Sequence, residues 1–218
     1  MLKLYGAPPT RALRVLWLLN ELGLKYEMMP LDMFKGEHKT DAFRALNPAA
    51  KVPVLVDGDV VLTESAAIPL YLAEKNPKAG FIPESVDDRA QMYRWIFFLV
   101  TEIEQPLWRI AHHTFIYPEE KRLPQDIDLA RQECKEMLAV LEGHMKGRTF
   151  IVGDRLSVAD FNAAYTLDWA NELMLLEDAP RLRTFVKTMY DRPTAPPTIA
   201  QAMAKFKQQQ SETNALNS

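Results

Sequence analysis

Hydrophobic and polar positions change their rhythm several times in the first eighty residues. Leu2–Tyr5 is a short apolar run stopped by Gly6 and the Pro8-Pro9 pair, which predicts a strand ending in a turn. Thr10 then stands where a capping side chain opens a helix to about Leu22, with Gly23 just past its end. Lys25–Leu31 reads as a second strand, and the polar stretch Lys35–Thr40 leads into a short helix that stops at Asn47-Pro48. Val52–Val56 and Val60–Leu62 read as strands, with Asp57-Gly58 between them as a two-residue hairpin signal. Ser65 opens a further helix through Ile68, Leu70 and Leu72. Strand, helix, strand, helix, hairpin and helix in that order predict a small sheet with helices on its faces.

Beyond Asn76-Pro77 the period is helical throughout. One long helix is predicted from Arg89 to about His113, kinked at Pro106. A second runs from about Asp126 to Met145, with Ala130, Cys134, Met137, Leu141 and Met145 on one face. A third starts at Ser157, where Ser157 and Asp160 have the spacing of a capping box flanked by Leu156 and Phe161. A fourth starts near Pro180. The predicted fold is a two-domain one, α/β plus all-α. Its parts are an N-terminal domain over 1–78, a linker over 79–87, an all-helical bundle domain over 88–205 and a polar, disordered tail over 206–218.

Composition narrows the function classes. Of 218 residues, 48% are hydrophobic, enough for a sizeable core, and the net charge of −3 gives no basic excess to attract nucleic acid. The longest apolar run, Ala66–Ala73, is eight residues and contains Pro69, whereas a membrane span needs about twenty. The N-terminal apolar run is too short for a signal peptide, so a cytoplasmic location is the expectation. One cysteine, Cys134, rules out a disulfide within the chain and any cysteine cluster for a metal. His112 and His113 are adjacent and point about 100° apart on a helix, so they do not chelate from one face, and no metal site is expected. The eight glycines are scattered without the spacing of a dinucleotide or phosphate loop.

The informative stretch is Asn47-Pro-Ala-Ala-Lys-Val-Pro-Val-Leu followed by Leu62-Thr-Glu-Ser65. Pro53 at the head of an apolar strand marks either an edge position or a cis bond. In the cis case the polar backbone groups of Val52 face outward and can pair with an extended peptide. Ser65 is either an ordinary helix cap or, with free helix N–H groups, a holder of a carboxylate, and Glu64 can receive an ammonium. Together these groups suit a small zwitterionic peptide.

Over about residues 2–200 the chain resembles the cytosolic-type glutathione S-transferases, with theta- and phi-like features. The elements that carry the resemblance are Lys51-Val52-Pro53-Val54-Leu55, Thr63-Glu64-Ser65-x-Ala67-Ile68 and Leu156-Ser157-Val158-Ala159-Asp160-Phe161. The resemblance implies a thioredoxin-like domain followed by a helical domain, glutathione as co-substrate, a hydrophobic electrophile as second substrate, and a homodimer. It implies a cis Pro53, Val52 paired through its backbone with the cysteinyl unit, Glu64 and Ser65 on the γ-glutamyl end, and His38 and Lys51 on the glycine carboxylate. Thr10, four residues before Arg14, matches the place of the catalytic serine in theta- and phi-like members. Tyr5 is the rival hydroxyl, and backbone N–H groups around Thr10 and Arg11 are a third possibility. No cysteine lies near residue 10, against the cysteine-type classes. Pro8, Trp108, His112, Phe115, Tyr117 and Trp169 are the candidates for an electrophile pocket between the domains. The reaction implied is conjugation of glutathione. The alternatives are other glutathione-dependent chemistry, such as peroxide or disulfide reduction, dehalogenation or isomerisation, and a non-enzymatic binding module.

Overall fold

The computed structural model describes residues 1–33 and 35–216, and the chain divides into two compact units. The first comprises Met1–Ala79 together with the chain from Arg192 onward, and the second Gly80–Asp191.

The first unit holds β1 (Leu2–Tyr5), α1 (Ala12–Glu21), β2 (Tyr26–Met29), α2 (Asp41–Arg44), β3 (Val54–Asp57), β4 (Val60–Leu62) and α3 (Ala67–Lys75). The strands lie in the order β2-β1-β3-β4. β1 and β2 are parallel, Leu2 opposite Tyr26, and parallel neighbours require a crossover, which α1 provides. β3 runs antiparallel to β1, Leu4 opposite Leu55, and β4 antiparallel to β3. This is a thioredoxin-like sheet. The hairpin turn falls one residue later than the sequence suggests: Asp57 still pairs with Val60, so Gly58 and Asp59 make the loop, with Gly58 at φ +60°. β3 starts at Val54 instead of Val52, because Val52 and Pro53 lie ahead of the ladder. Residues Ala12–Leu19 of α1 are all buried, Trp17 and Arg14 among them, and α1 packs on α3.

The last helix, α9 (Ile199–Leu216), belongs to this unit and makes the expected disordered tail over 206–218 helical as far as Leu216, while residues 217–218 lie outside the described residues. Its start is a capping box: Thr198 Oγ1 accepts from the N–H of Gln201 at 3.2 Å, and the Gln201 side chain accepts from the N–H of Thr198 at 3.0 Å. Polar residues with high helix propensity then carry the helix on. The segment before it is tied down by Glu21 of α1, which accepts from Arg192 and Thr194.

The second unit consists of α4 (Val86–Phe98), α5 (Glu104–Ala111), α6 (Pro124–His144), α7 (Val158–Glu172) and α8 (Pro180–Tyr190). The predicted single long helix is interrupted by two π-helical turns, Leu99–Ile103 and His112–Ile116. Pro106 explains the first: it has no N–H for the carbonyl of Glu102, and its ring crowds that carbonyl, so the preceding turn widens, and the N–H of Glu104 reaches back to Leu99. On α6 the buried stripe is Ala130, Cys134, Leu138 and Leu141, with Met137 half-buried. α7 is buried nearly all round from Val158 to Asp168. Glu142 of α6 caps α8, accepting from the N–H groups of Arg181 and Leu182 at 3.2 and 3.0 Å.

Candidate functional site

Two of the first unit's candidate residues, Val52 and Pro53, lie against Gly6. Its φ of +137° is a conformation that side chains other than glycine's rarely adopt, and its N–H bonds to the carbonyl of Met29 at 3.1 Å. A side chain here would begin 3.1 Å from Cβ of Ala12 and 3.4 Å from Cβ of Val52. Glycine therefore lets the end of β1, the start of α1 and the strand-entry segment close on one another. The Val52–Pro53 bond is cis, as the resemblance implied, and so is Pro8–Pro9. The loop before Val52 is braced by Asn47, which is buried. Its Nδ2 donates to the carbonyl of Lys51 at 2.7 Å, its Oδ1 accepts from the N–H of Ala49 at 3.0 Å, and its carbonyl accepts from the N–H of Ala50 at 2.8 Å. The Lys51 side chain is left in solvent.

Thr10 lies one residue before the cap position, which is Arg11. Its Oγ1 accepts from the N–H of Ala12 at 3.3 Å, and its carbonyl from that of Leu13 at 3.0 Å. A hydroxyl has two lone pairs and one hydrogen, so this contact leaves the hydrogen to be donated. Tyr5 ends β1 with its ring packed on Phe43 of α2, centroids 6.2 Å apart.

Glu64 and Ser65 sit at the turn into α3. Glu64 is exposed and has φ +68°, a left-handed backbone that costs a non-glycine residue about 1–3 kcal/mol. Its carbonyl accepts from the N–H groups of Ala67 and Ile68, both at 3.0 Å. The cap of α3 is Ala66, so Ser65 is not the helix cap that sequence alone also allowed. Instead Ser65, 6% exposed, accepts a hydrogen bond from Nη1 of fully buried Arg14 at 3.0 Å. His38 lies on a short turn, Glu37–Lys39; its Nδ1 is buried and has no hydrogen-bond partner. Burial first, then the positive charges of Lys39 and Arg44, hold its imidazole below the ordinary value.

Gly6, Arg14 and Asn47 are the residues that sequence reasoning did not place in the site. Arg14 had a signal: a lone charge inside the otherwise apolar run Ala12–Leu19. Asn47 and Gly6 act through local geometry, which no residue pattern announces.

The electrophile-pocket candidates divide between the units. Pro8 precedes Pro9 in the β1–α1 loop of the first. In the second, Trp169 meets Trp108 edge to face at 5.2 Å, Trp108 stacks on His112 at 5.4 Å, and His112 stacks on Tyr117 at 4.9 Å and 11°. The second π turn makes the last contact, carrying the N–H of Tyr117 back to the carbonyl of His112 at 2.8 Å. Phe115 is 70% exposed and is in none of these ring contacts.

Two further groups are structural. Asp160 is fully buried, and its carboxylate accepts from the N–H of Ile151, the N–H of Ser157 and the Ser157 hydroxyl at 2.8, 2.8 and 2.9 Å. Burial pushes its carboxyl up to about 6 against the pull of those donors. Burial raises the Cys134 thiol to about 12, so it is no nucleophile at neutral pH. Among the described residues no cluster of His, Cys, Asp and Glu is arranged to hold a metal ion, and no helix is long and apolar enough to cross a membrane.

Residues 1–74 match the family model for the glutathione S-transferase N-terminal domain, and residues 105–193 that for the C-terminal domain. Glutathione S-transferase F9 of Arabidopsis thaliana is 30% identical over 209 residues, which cover 92% of this chain and 97% of that protein. Human glutathione S-transferase theta-1 is 32% identical over 160 residues, 71% of this chain and 66% of the relative. Among solved structures, glutathione transferase URE2P5 from Phanerochaete chrysosporium superposes with a TM-score of 0.84 at 26% identity, covering 98% of this chain and 97% of that one. The glutathione S-transferase from Xylella fastidiosa gives 0.79 at 28%, covering 89% and 95%.

Proposed function

The chain belongs to the glutathione S-transferase family and is a glutathione transferase, and we propose that its first unit holds the tripeptide while Thr10 turns the thiol into a nucleophile. The observation that carries this reading is the closure at Gly6, with Ala12 and Val52 both within 3.4 Å of one point. It brings the segment that pairs with a cysteinyl backbone to the helix start where Thr10 stands. Val52 takes the cysteinyl unit, next to the cis Pro53. Glu64 receives the γ-glutamyl ammonium and Ser65 its carboxylate. His38, held neutral, donates a hydrogen bond to the glycine carboxylate, and Lys51 adds the charge.

A free thiol has a pKa of about 8.5 and is only a few per cent ionised at pH 7. The Thr10 hydroxyl donates to the sulfur, and such a bond to a charged acceptor is worth about 1.5–3 kcal/mol, enough to lower the pKa by one to two units. The thiol proton leaves to solvent. The thiolate then attacks the electrophilic carbon, forming a thioether as the leaving group departs or a π bond opens. In the second unit the linked rings of Trp169, Trp108, His112 and Tyr117 offer apolar surface to a hydrophobic electrophile, a role that fits detoxification in the cytoplasm. A homodimer follows from the same reading. Edge strand β4 carries Val60 and Val61, each 42% exposed, and α4 carries Phe97, 63% exposed. These are apolar side chains that a partner copy would cover.

Calorimetric titration with glutathione tests the anchor. Ser65→Ala should bind about ten- to a hundredfold more weakly, one charge-assisted hydrogen bond being lost, with native circular dichroism and a lowered melting temperature, because buried Arg14 loses its acceptor. Equal binding by the two proteins would put the γ-glutamyl end elsewhere. No binding by wild type at millimolar concentration would make the chain a non-enzymatic member.

A further inference from the structure

Arg14 is fully buried in the first turn of α1, and its Nη1 donates to Ser65 Oγ at 3.0 Å. A guanidinium can only donate, so the Ser65 oxygen is an acceptor in this pair. The hydroxyl has a single hydrogen, which is therefore free to go to something else. Ser65 is not spent as a helix cap either, since α3 is capped at Ala66. Its neighbour Glu64 is exposed and, when ionised, can only accept. The turn thus presents a donor beside an acceptor. The positive charge behind the donor is buried, where screening by water is weak.

Resting on the glutathione reading above, we infer that Arg14 is a positioning residue that fixes the polarity of the Ser65 hydroxyl, and so makes this turn select the α-carboxylate of a γ-glutamyl group. Arg14 does not touch the ligand in this arrangement; it acts through Ser65. The Ser65 hydrogen, polarised by the guanidinium, goes to a carboxylate oxygen, and Glu64 takes the ammonium. A hydroxyl without Arg14 could rotate to accept from the ammonium instead, and the turn would lose its preference for one orientation of the ligand's charged end. The rigidity of the arrangement comes from α1, whose residues on both sides of Arg14 are buried.

The test compares glutathione with an analogue bearing a 4-aminobutyryl group in place of γ-glutamyl, which keeps the ammonium and lacks the carboxylate. Wild type, Ser65→Ala, Arg14→Met, Arg14→Lys and the Ser65→Ala/Arg14→Met double variant are titrated with both. Wild type should prefer glutathione by about ten- to a hundredfold. Arg14→Met should lose most of that preference while binding the analogue as wild type does, and Arg14→Lys should restore part of it. The double variant should match Ser65→Ala, because the two residues act as one unit. Equal weakening of both ligands by Arg14→Met, or additive losses in the double variant, would overturn the inference and leave Arg14 a packing residue. If the Arg14 variants do not fold, the wild-type protein carries the test by NMR. The Arg14 Nη–H signals should shift on adding glutathione and stay unmoved with the analogue; identical shifts with both overturn the inference. A wild type that binds neither ligand refutes the glutathione reading itself, a separate result.

Discussion

A hydroxyl's two capacities decide what Thr10 can do. In the sequence its roles as helix cap and thiol activator compete for one oxygen. In the structure the N–H of Ala12 uses a lone pair at 3.3 Å, and the hydrogen stays available, so the two roles are compatible. Accepting from an N–H also polarises the O–H, making it a better donor. Thr10→Ala should therefore lower turnover at pH 7 by about ten- to a hundredfold with little change in glutathione affinity. The pH–rate profile should move with it. The rising limb tracks the bound thiol, so removing the donor shifts the limb up by about one to two pH units, and the deficit shrinks as the pH rises above about 8.5. Thr10→Ser should keep most of the activity. Tyr5→Phe should matter little, its ring being packed on Phe43. Loss of turnover in Tyr5→Phe with Thr10→Ala intact would reverse the assignment, and steady-state kinetics on the three variants decides it.

At the scale of elements, strands and helix starts were legible where a short pattern sufficed, and illegible where a distant group completed them. β1 and β4 fall at Leu2–Tyr5 and Val60–Leu62, as the apolar runs indicated. The capping box at Ser157 was legible too, but its energetic weight was not. Spacing alone implies the loss of an ordinary cap, about 0.5–2 kcal/mol. The structure adds the N–H of Ile151, nine residues from Asp160, and complete burial. Asp160→Ala orphans two buried backbone donors, each costing about 1–3 kcal/mol, so the expected loss rises to about 2–6 kcal/mol in chemical denaturation. Turnover per folded molecule should be unchanged, since Asp160 is closed to substrate; a large loss of turnover without loss of stability would contradict this. The other capping box, Thr198 to Gln201, has the same spacing and was hidden by the polar composition that followed it. Thr198→Ala should cost about 0.5–2 kcal/mol, concentrated in α9 and readable as faster amide exchange there. Pro106 signalled a kink, yet the form it took, a π turn upstream, depended on how the freed carbonyl was re-satisfied.

At the scale of the molecule, the order of elements declares a thioredoxin-like unit and a helical one, because strand and helix periods differ and the change at Asn76-Pro77 is abrupt. What the order does not declare is that the chain returns: the segment from Arg192 groups with the first unit, held by Glu21 through partners about 170 residues away. Contacts so far apart leave no local pattern. The chemistry is distributed just as unevenly. The acceptors and donors suited to a zwitterionic peptide lie in the first unit, while the protein's single thiol, Cys134, is buried in the second on α6. Burial lifts that thiol to about 12, so at pH 7 to 9 it stays protonated and slow to react. Any thiolate chemistry must then come from bound glutathione. Iodoacetamide at pH 8 should leave the native protein unlabelled and fully active after the reagent is removed, with labelling appearing only on unfolding, as mass spectrometry of the intact chain would show. Cys134→Ala, which removes a fully buried side chain, should cost a little stability and no turnover per folded molecule. Should Cys134→Ala abolish turnover in a protein with a native melt, the nucleophile would be the chain's own sulfur, and Thr10 would have no thiol of glutathione to serve.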